Sequence, residues 1–161
     1  MHDIDLVRIG PDDWREFRDA RLAALLDAPG AFGSRHDDWV AADEARWRAR
    51  LTDVELTVLA RRDGEPVGMV SGADSGQWVE LISMWVAPGQ RGTGLAGRLV
   101  DEVVAWAQRR GRRTCLMVRD DNVGAIRCYL RAGFVDHGVS PDWPDDEPAE
   151  RLMWHGEDHS S

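Results

Sequence analysis

Between an apolar run ending at Val86 and an amphipathic stretch beginning at Leu95 lies the sequence Gln90-Arg91-Gly92-Thr93-Gly94-Leu95-Ala96-Gly97-Arg98. A strand that ends in a glycine-rich turn and feeds a helix leaves backbone N–H groups unpaired at the positive end of the helix dipole, where a pyrophosphate binds. Gly92 and Gly94 let the main chain approach such an anion with no Cβ in the way. Two familiar phosphate motifs do not account for the turn. The nucleoside-triphosphate loop needs Lys-Ser/Thr after its last glycine, and this chain has no lysine. The dinucleotide fingerprint matches residues 92–97 in spacing, but the match falls in mid-chain and no parallel βαβαβ series follows it.

The rest of the pattern supplies the setting. Residues 4–9 alternate as a short strand, and Pro11-Asp12-Asp13 opens a helix whose expected buried face holds Trp14, Phe17, Leu22 and Leu25. Residues 31–40 have turn chemistry and no clean period, and residues 41–51 read as a second helix. Residues 54–62 and 67–73 form a hairpin about Asp63-Gly64, and a further turn leads to a strand over 78–86. Leu95, Leu99, Val103 and Trp106 recur at helical spacing up to Gly111. A strand over 113–119, a helix capped at Asp121 or Asn122, and strands over 134–139 and near 151–155 complete the chain. This order predicts one α/β (α+β) domain, a mixed and mostly antiparallel sheet of about seven strands with helices on both faces.

Three segments then carry a resemblance. Leu81-Ile82-Ser83-Met84-Trp85-Val86-Ala87-Pro88, the Arg91-x-x-Gly94-x-Ala96 turn, and Asn122-x-x-Ala125-x-x-x-Tyr129-x-x-x-Gly133-Phe134 together resemble the acetyl-CoA core of the GNAT N-acetyltransferase superfamily. The match covers about residues 80–135, and the acceptor-site elements are expected at about 29–51 and 136–155. The resemblance implies a GNAT-like fold whose sheet splays at the cofactor, with acetyl-CoA as donor and direct attack by an amine in a ternary complex.

It also implies roles for particular residues. Met84, Trp85 and Val86 would hold the pantetheine arm through backbone N–H and C=O groups, like an added strand. An N–H near Met84 or Trp85 would polarise the thioester carbonyl. Gln90, Arg91, Gly92, Thr93, Gly94, Leu95, Ala96 and Gly97 would cradle the pyrophosphate, with Asn122 and Ala125 positioning the cofactor. Tyr129, the one tyrosine in the chain, matches the residue beside the departing sulfur. A phenol near pKa 10 and a thiol near 8.5 make full proton transfer uphill by roughly 2 kcal/mol, so hydrogen bonding to the thiolate is expected unless nearby arginines lower the phenol.

The acceptor amine must lose a proton before it attacks, which costs about 4.6 kcal/mol at pH 7 for a group of pKa 10.4. Glu80, six residues before Val86, resembles the general base of the histone-type branch; other branches use water chains. His36 and His137 are weaker alternatives. No His, Cys or Asp cluster has metal-ligand spacing, and Cys115 and Cys128 read as free thiols in a strand and a helix.

Charge divides unevenly. The chain carries −9 overall, with −7 over residues 1–90, +5 over 91–131 and −7 over 132–161. The positive segment holds the glycine turn and the Asn122–Tyr129 motif, as an anionic cofactor requires. The acidic balance disfavours a nucleic acid partner, and the acidic ends favour a cationic or amine-bearing acceptor. Phe32, Trp39 and Trp143 are the expected acceptor contacts, part of an aromatic wall drawn from eight tryptophans. A small-molecule amine, a metabolite or an antibiotic, is the leading acceptor; a protein N-terminus or lysine is the alternative. A non-catalytic acyl-CoA sensor is the competing reading from another class. No membrane segment or signal peptide is read, so a cytoplasmic monomer or homodimer is expected.

Overall fold

A computed structural model of the chain describes residues 3–27 and 36–156. Seven strands, β1 (Asp5–Arg8), β2 (Leu56–Arg62), β3 (Glu65–Asp74), β4 (Trp78–Val86), β5 (Arg113–Arg119), β6 (Phe134–Val139) and β7 (Glu150–His155), form one open sheet in the order β1-β2-β3-β4-β5-β7-β6. Every neighbouring pair is antiparallel except β4 and β5. The mixed sheet expected from the element order is therefore present. Among the described residues no helix is long and apolar enough to cross a membrane.

The helices divide between the two faces. On one, α4 (Leu95–Arg109) and α5 (Val123–Arg131) cover a core of Val58, Val70, Leu81, Leu99, Val103 and Leu116 with Phe134 and Met153. On the other, α1 (Trp14–Asp27) and α3 (Glu44–Asp53) bury Phe17, Ala20, Ala24, Trp47 and Leu51 against Leu59, Met69 and Trp85. Val58 and Ala60 face one core while Leu59 faces the other, as the two-residue period of a strand requires.

Some boundaries differ from those expected, for local reasons. The second long helix starts at Glu44 rather than at residue 41, because the Asp43 side chain accepts a hydrogen bond from the Arg46 N–H at 2.9 Å and sets the N-cap there. The stretch without a clean period contains a five-residue helix, α2 (His36–Val40). In α1 the fully buried positions are Phe17, Ala20, Arg21, Ala24 and Leu25, whereas Trp14 and Leu22 are half-buried at its edge. Ala20 and Ala24 share the buried face with Phe17 and Leu25, and Trp14 and Leu22 lie at its margin. Phe32 lies outside the described residues.

Candidate active site

The site begins where two strands stop pairing. β4 and β5 run parallel and share a ladder only from Trp78↔Arg113 to Glu80↔Cys115. Beyond it, residues 81–86 and 116–119 diverge, and the splay opens a cavity of about 1030 Å³. Residues 81–86 line one side and Met117, Val118 and Arg119 the other. One register shift in β4 sharpens the opening: Ile82 pairs with Ser71 and Trp85 with Met69, so Ser83 and Met84 together face a single residue of β3. Ser83 takes the left-handed conformation, φ 55°, that this bulge demands.

The glycine turn closes one end. Pro88–Gln90 forms a short 3-10 turn, Gly92 and Gly94 have φ of 79° and 87°, and α4 then begins at Leu95. No side chain caps α4, so its first N–H groups have no partner within the helix or from a cap. Leu95, Ala96 and Gly97 of that first turn line the cavity, with Gln90, Arg91, Gly92 and Gly94. A Cβ built on Gly92, Gly94 or Gly97 meets no atom within 4 Å, so the space over the turn is open. This combination of small residues, uncapped amides and basic side chains fits a pyrophosphate. Thr93 does not line the cavity; its hydroxyl donates to the Gln90 carbonyl at 2.6 Å and holds the turn.

α5 supplies the other wall. The Asn122 side chain accepts from the Ala125 N–H at 3.2 Å and caps the helix, and both residues line the cavity. Tyr129 also lines it, buried on the α5 side with its ring 5.8 Å from that of Phe134 in a T-shaped arrangement. Burial, and then the neighbouring Cys128 thiol, push the Tyr129 phenol well above its ordinary pKa. Its hydroxyl therefore holds its proton, and the alternative in which arginines lower the phenol is not the arrangement found.

Other candidates lie further off. Glu80 sits at the last paired position of the β4–β5 ladder, next to the cavity rather than in its lining. Burial and then the charge of Glu150, which does line the cavity, raise its carboxyl above the usual range. Trp39 and Trp143 are not among the lining residues. Trp39 packs on Trp47 with ring centroids 4.8 Å apart, and Trp78 packs on Trp154 at 6.1 Å, so these four form two separate pairs, and of the tryptophans only Trp85 lines the cavity. The cavity adds residues not singled out from the sequence, including Asp101, Arg119, Arg131 and Glu150, and it also takes in Cys128, which the sequence offered only as a free thiol. Arg119 had a readable signal, as the final residue of a strand that points at the Asn122 cap.

Comparison with known proteins bears on this geometry. Residues 14–134 match the acetyltransferase (GNAT) family. An uncharacterized N-acetyltransferase of Mycobacterium tuberculosis is 38% identical over 100 residues, covering 59% of this chain and 63% of that one. Blasticidin-S acetyltransferase of Streptomyces morookaense is 30% identical over 96 residues, covering 60% and 71%. The chain spans only 39% to 63% of the length of the first curated relatives it matches. A Salmonella typhimurium structure solved with its cofactor acetyl-CoA superposes with a TM-score of 0.70 at 18% identity, covering 99% of this chain and 97% of that one. With the family match extending over most of the chain and the splayed sheet in place, the protein belongs to the GNAT acetyltransferase family.

Proposed function

We propose that this protein is an N-acetyltransferase that moves the acetyl group of acetyl-CoA to a primary amine of a small molecule, by direct attack in a ternary complex. The observation that carries the reading is the splay of β4 from β5, which opens a cavity running from the glycine turn to Tyr129. Acetyl-CoA supplies an activated acyl group and a thiolate leaving group.

The chain's own residues do the rest. The uncapped first turn of α4 and the amides about Gly92 and Gly94 bind the pyrophosphate. Met84, Trp85 and Val86 offer main-chain groups to the pantetheine amides along the unpaired edge of β4. The bulge at Ser83 and Met84 turns an N–H out of the ladder, toward the oxygen that gains charge as the amine attacks. Tyr129, kept protonated by burial, donates a hydrogen bond to the departing sulfur. Glu80 takes the proton of the amine across a water, since it stands one position outside the cavity. The Streptomyces morookaense relative is by its name an acetyltransferase of blasticidin-S, which supports a small-molecule acceptor.

Thiol release from acetyl-CoA with a panel of primary amines tests this reading. An amine-dependent rate well above hydrolysis is expected. Tight acetyl-CoA binding with no amine-dependent release would instead identify an acyl-CoA sensor.

A further inference from the structure

Two guanidinium groups converge on the hydroxyl of the left-handed residue in the β4 bulge. Arg21 Nη1, from α1, donates to Ser83 Oγ at 2.7 Å, and Arg50 Nη2, from α3, donates to the same oxygen at 3.1 Å. Arg50 Nη2 also donates to Ser71 Oγ of β3 at 3.2 Å, and that hydroxyl lies 3.2 Å from Thr57 Oγ1 of β2. Arg21, Ser71 and Thr57 are all buried. Ser83 is thus tied to two helices and, through Arg50, to two further strands.

The face that Ser83 takes decides what these bonds require. Ile82 is paired with Ser71, and directly opposed residues of an antiparallel pair share a face. In a regular strand the next side chain, that of Ser83, would point to the other face. Its hydroxyl nevertheless meets the same guanidinium as Ser71. Two consecutive side chains therefore stand on one face, and the bulge, with φ 55° at Ser83, is what allows it. A residue other than glycine keeps a left-handed backbone only where its surroundings over-determine it. Two charge-assisted hydrogen bonds, one for each lone pair of the Ser83 hydroxyl, supply that constraint.

We propose that Arg21 and Arg50 are positioning residues for acetyl transfer: through Ser83 Oγ they pin the β4 bulge, and so aim the N–H that it turns out of the ladder at the thioester oxygen. The two bonds depend on the bulged form, so they stabilise that form over a regular strand. Ser83 lines the cavity and neither guanidinium does, so each arginine acts through Ser83 rather than on the cofactor. A donor fixed in place before the oxyanion develops needs no reorganisation as the charge appears. This inference rests on the acetyltransferase reading and deepens it.

The experiment compares the natural protein with Ser83→Ala, Arg50→Gln and the double variant, with a melting temperature for each to establish that it folds. With acetyl-CoA and the fastest amine at saturation, kcat is expected to fall roughly 10- to 100-fold in either single variant, while the KM for acetyl-CoA stays near its original value. The double variant is expected to be no slower than the slower single one, because both changes break the same link. Arg50→Lys keeps one charged donor and is expected between Arg50→Gln and the natural protein. An unchanged kcat in Ser83→Ala, or losses that multiply in the double variant, overturns the proposal. A lowered melting temperature with kcat unchanged does so too, since it leaves the arginines a role in stability alone.

A spectroscopic readout needs no acceptor. The infrared band of an isotope-labelled thioester carbonyl in bound acetyl-CoA is expected to lie below that of the free cofactor, and to move back toward it in Ser83→Ala and Arg50→Gln. The same band position in all three proteins overturns the proposal even where no amine is acetylated. Calorimetry separates the two readings. Acetyl-CoA that binds without a variant-dependent band counts against the clamp alone, whereas no binding at all overturns the acetyltransferase reading and the clamp with it.

Discussion

The indole Nε1–H of Trp85 donates to Asp27 Oδ2 at 3.0 Å, tying the strand that borders the cavity to the last residue of α1. Arg91 of the glycine turn closes on the same carboxylate oxygen, and its Nε donates to the Val86 carbonyl at 3.2 Å. One carboxylate thus fixes the turn against the end of β4. Asp27→Ala leaves the indole N–H of a residue that is 7% exposed without its acceptor. The expected loss is about 1–3 kcal/mol in urea unfolding. Asp27→Asn keeps a carbonyl acceptor for the indole and is expected to lose less. Equal losses in the two variants would show that the charge on Arg91, rather than the indole bond, depends on Asp27.

Tyr129→Phe removes the hydroxyl and keeps the ring that packs on Phe134. If the phenol supports the departing thiolate, kcat falls by roughly 10- to 100-fold and the KM for acetyl-CoA stays close to its original value. Because burial raises the phenol's pKa, its ionisation adds no falling limb to the rate at moderately alkaline pH. A pH–rate profile of the natural protein checks this, and an unchanged kcat in Tyr129→Phe removes the residue from the chemistry.

Much of the site was legible because it depends on short-range sequence. The bounds of β4, β5 and β6 follow from alternation and flanking glycines, α4 begins at Leu95 as its period indicates, and Asn122 caps α5 through its own side chain. The pieces that escaped depend on distant partners. Arg21 lies on the buried face of α1, where an arginine in an amphipathic pattern reads as solvated. It meets Ser83 across 62 positions, and Arg50 meets the same hydroxyl across 33. The left-handed backbone of Ser83 has no sequence signal, since glycine is the residue that usually marks such a conformation. The tryptophans counted from composition divide in the fold: Trp39 packs on Trp47, Trp78 packs on Trp154, and Trp85 lines the cavity. Composition counts rings but does not say which face each one takes.

Glu80 gives a pH test with a definite sign. Its carboxyl is raised by burial first and by the Glu150 charge second. A general base works ionised, so the rate falls as pH drops through this raised pKa. Glu150→Gln removes the like charge and moves that limb to lower pH; Glu80→Gln abolishes it and lowers kcat by about 100-fold or more. Stability runs the opposite way. The folded carboxyl binds its proton more tightly than the unfolded one, so folding stability falls as pH rises from the unfolded to the folded pKa. Glu80→Gln is expected to remove that fall in thermal melts. A limb that survives in the variant assigns the base to another group.

Gly94 and Gly97 separate backbone strain from room for the cofactor. Gly94 has φ 87°, and an added Cβ meets nothing within 4 Å, so the cost of Gly94→Ala lies in the backbone, about 1–2 kcal/mol. Gly97 lies in the first turn of α4 without a positive φ, and its added Cβ also meets nothing. Gly97→Ala therefore gains about 0.5–1 kcal/mol of stability, as alanine does in a helix. Both residues line the cavity, so a pyrophosphate seated on the turn would meet the new methyl group in either variant. Acetyl-CoA binding by calorimetry should then weaken in both, while urea midpoints move in opposite directions. If Gly97→Ala gains stability and binds acetyl-CoA as tightly as the natural protein, the pyrophosphate does not pack against this turn of α4, and the seat must be confined to the amides of residues 91–95.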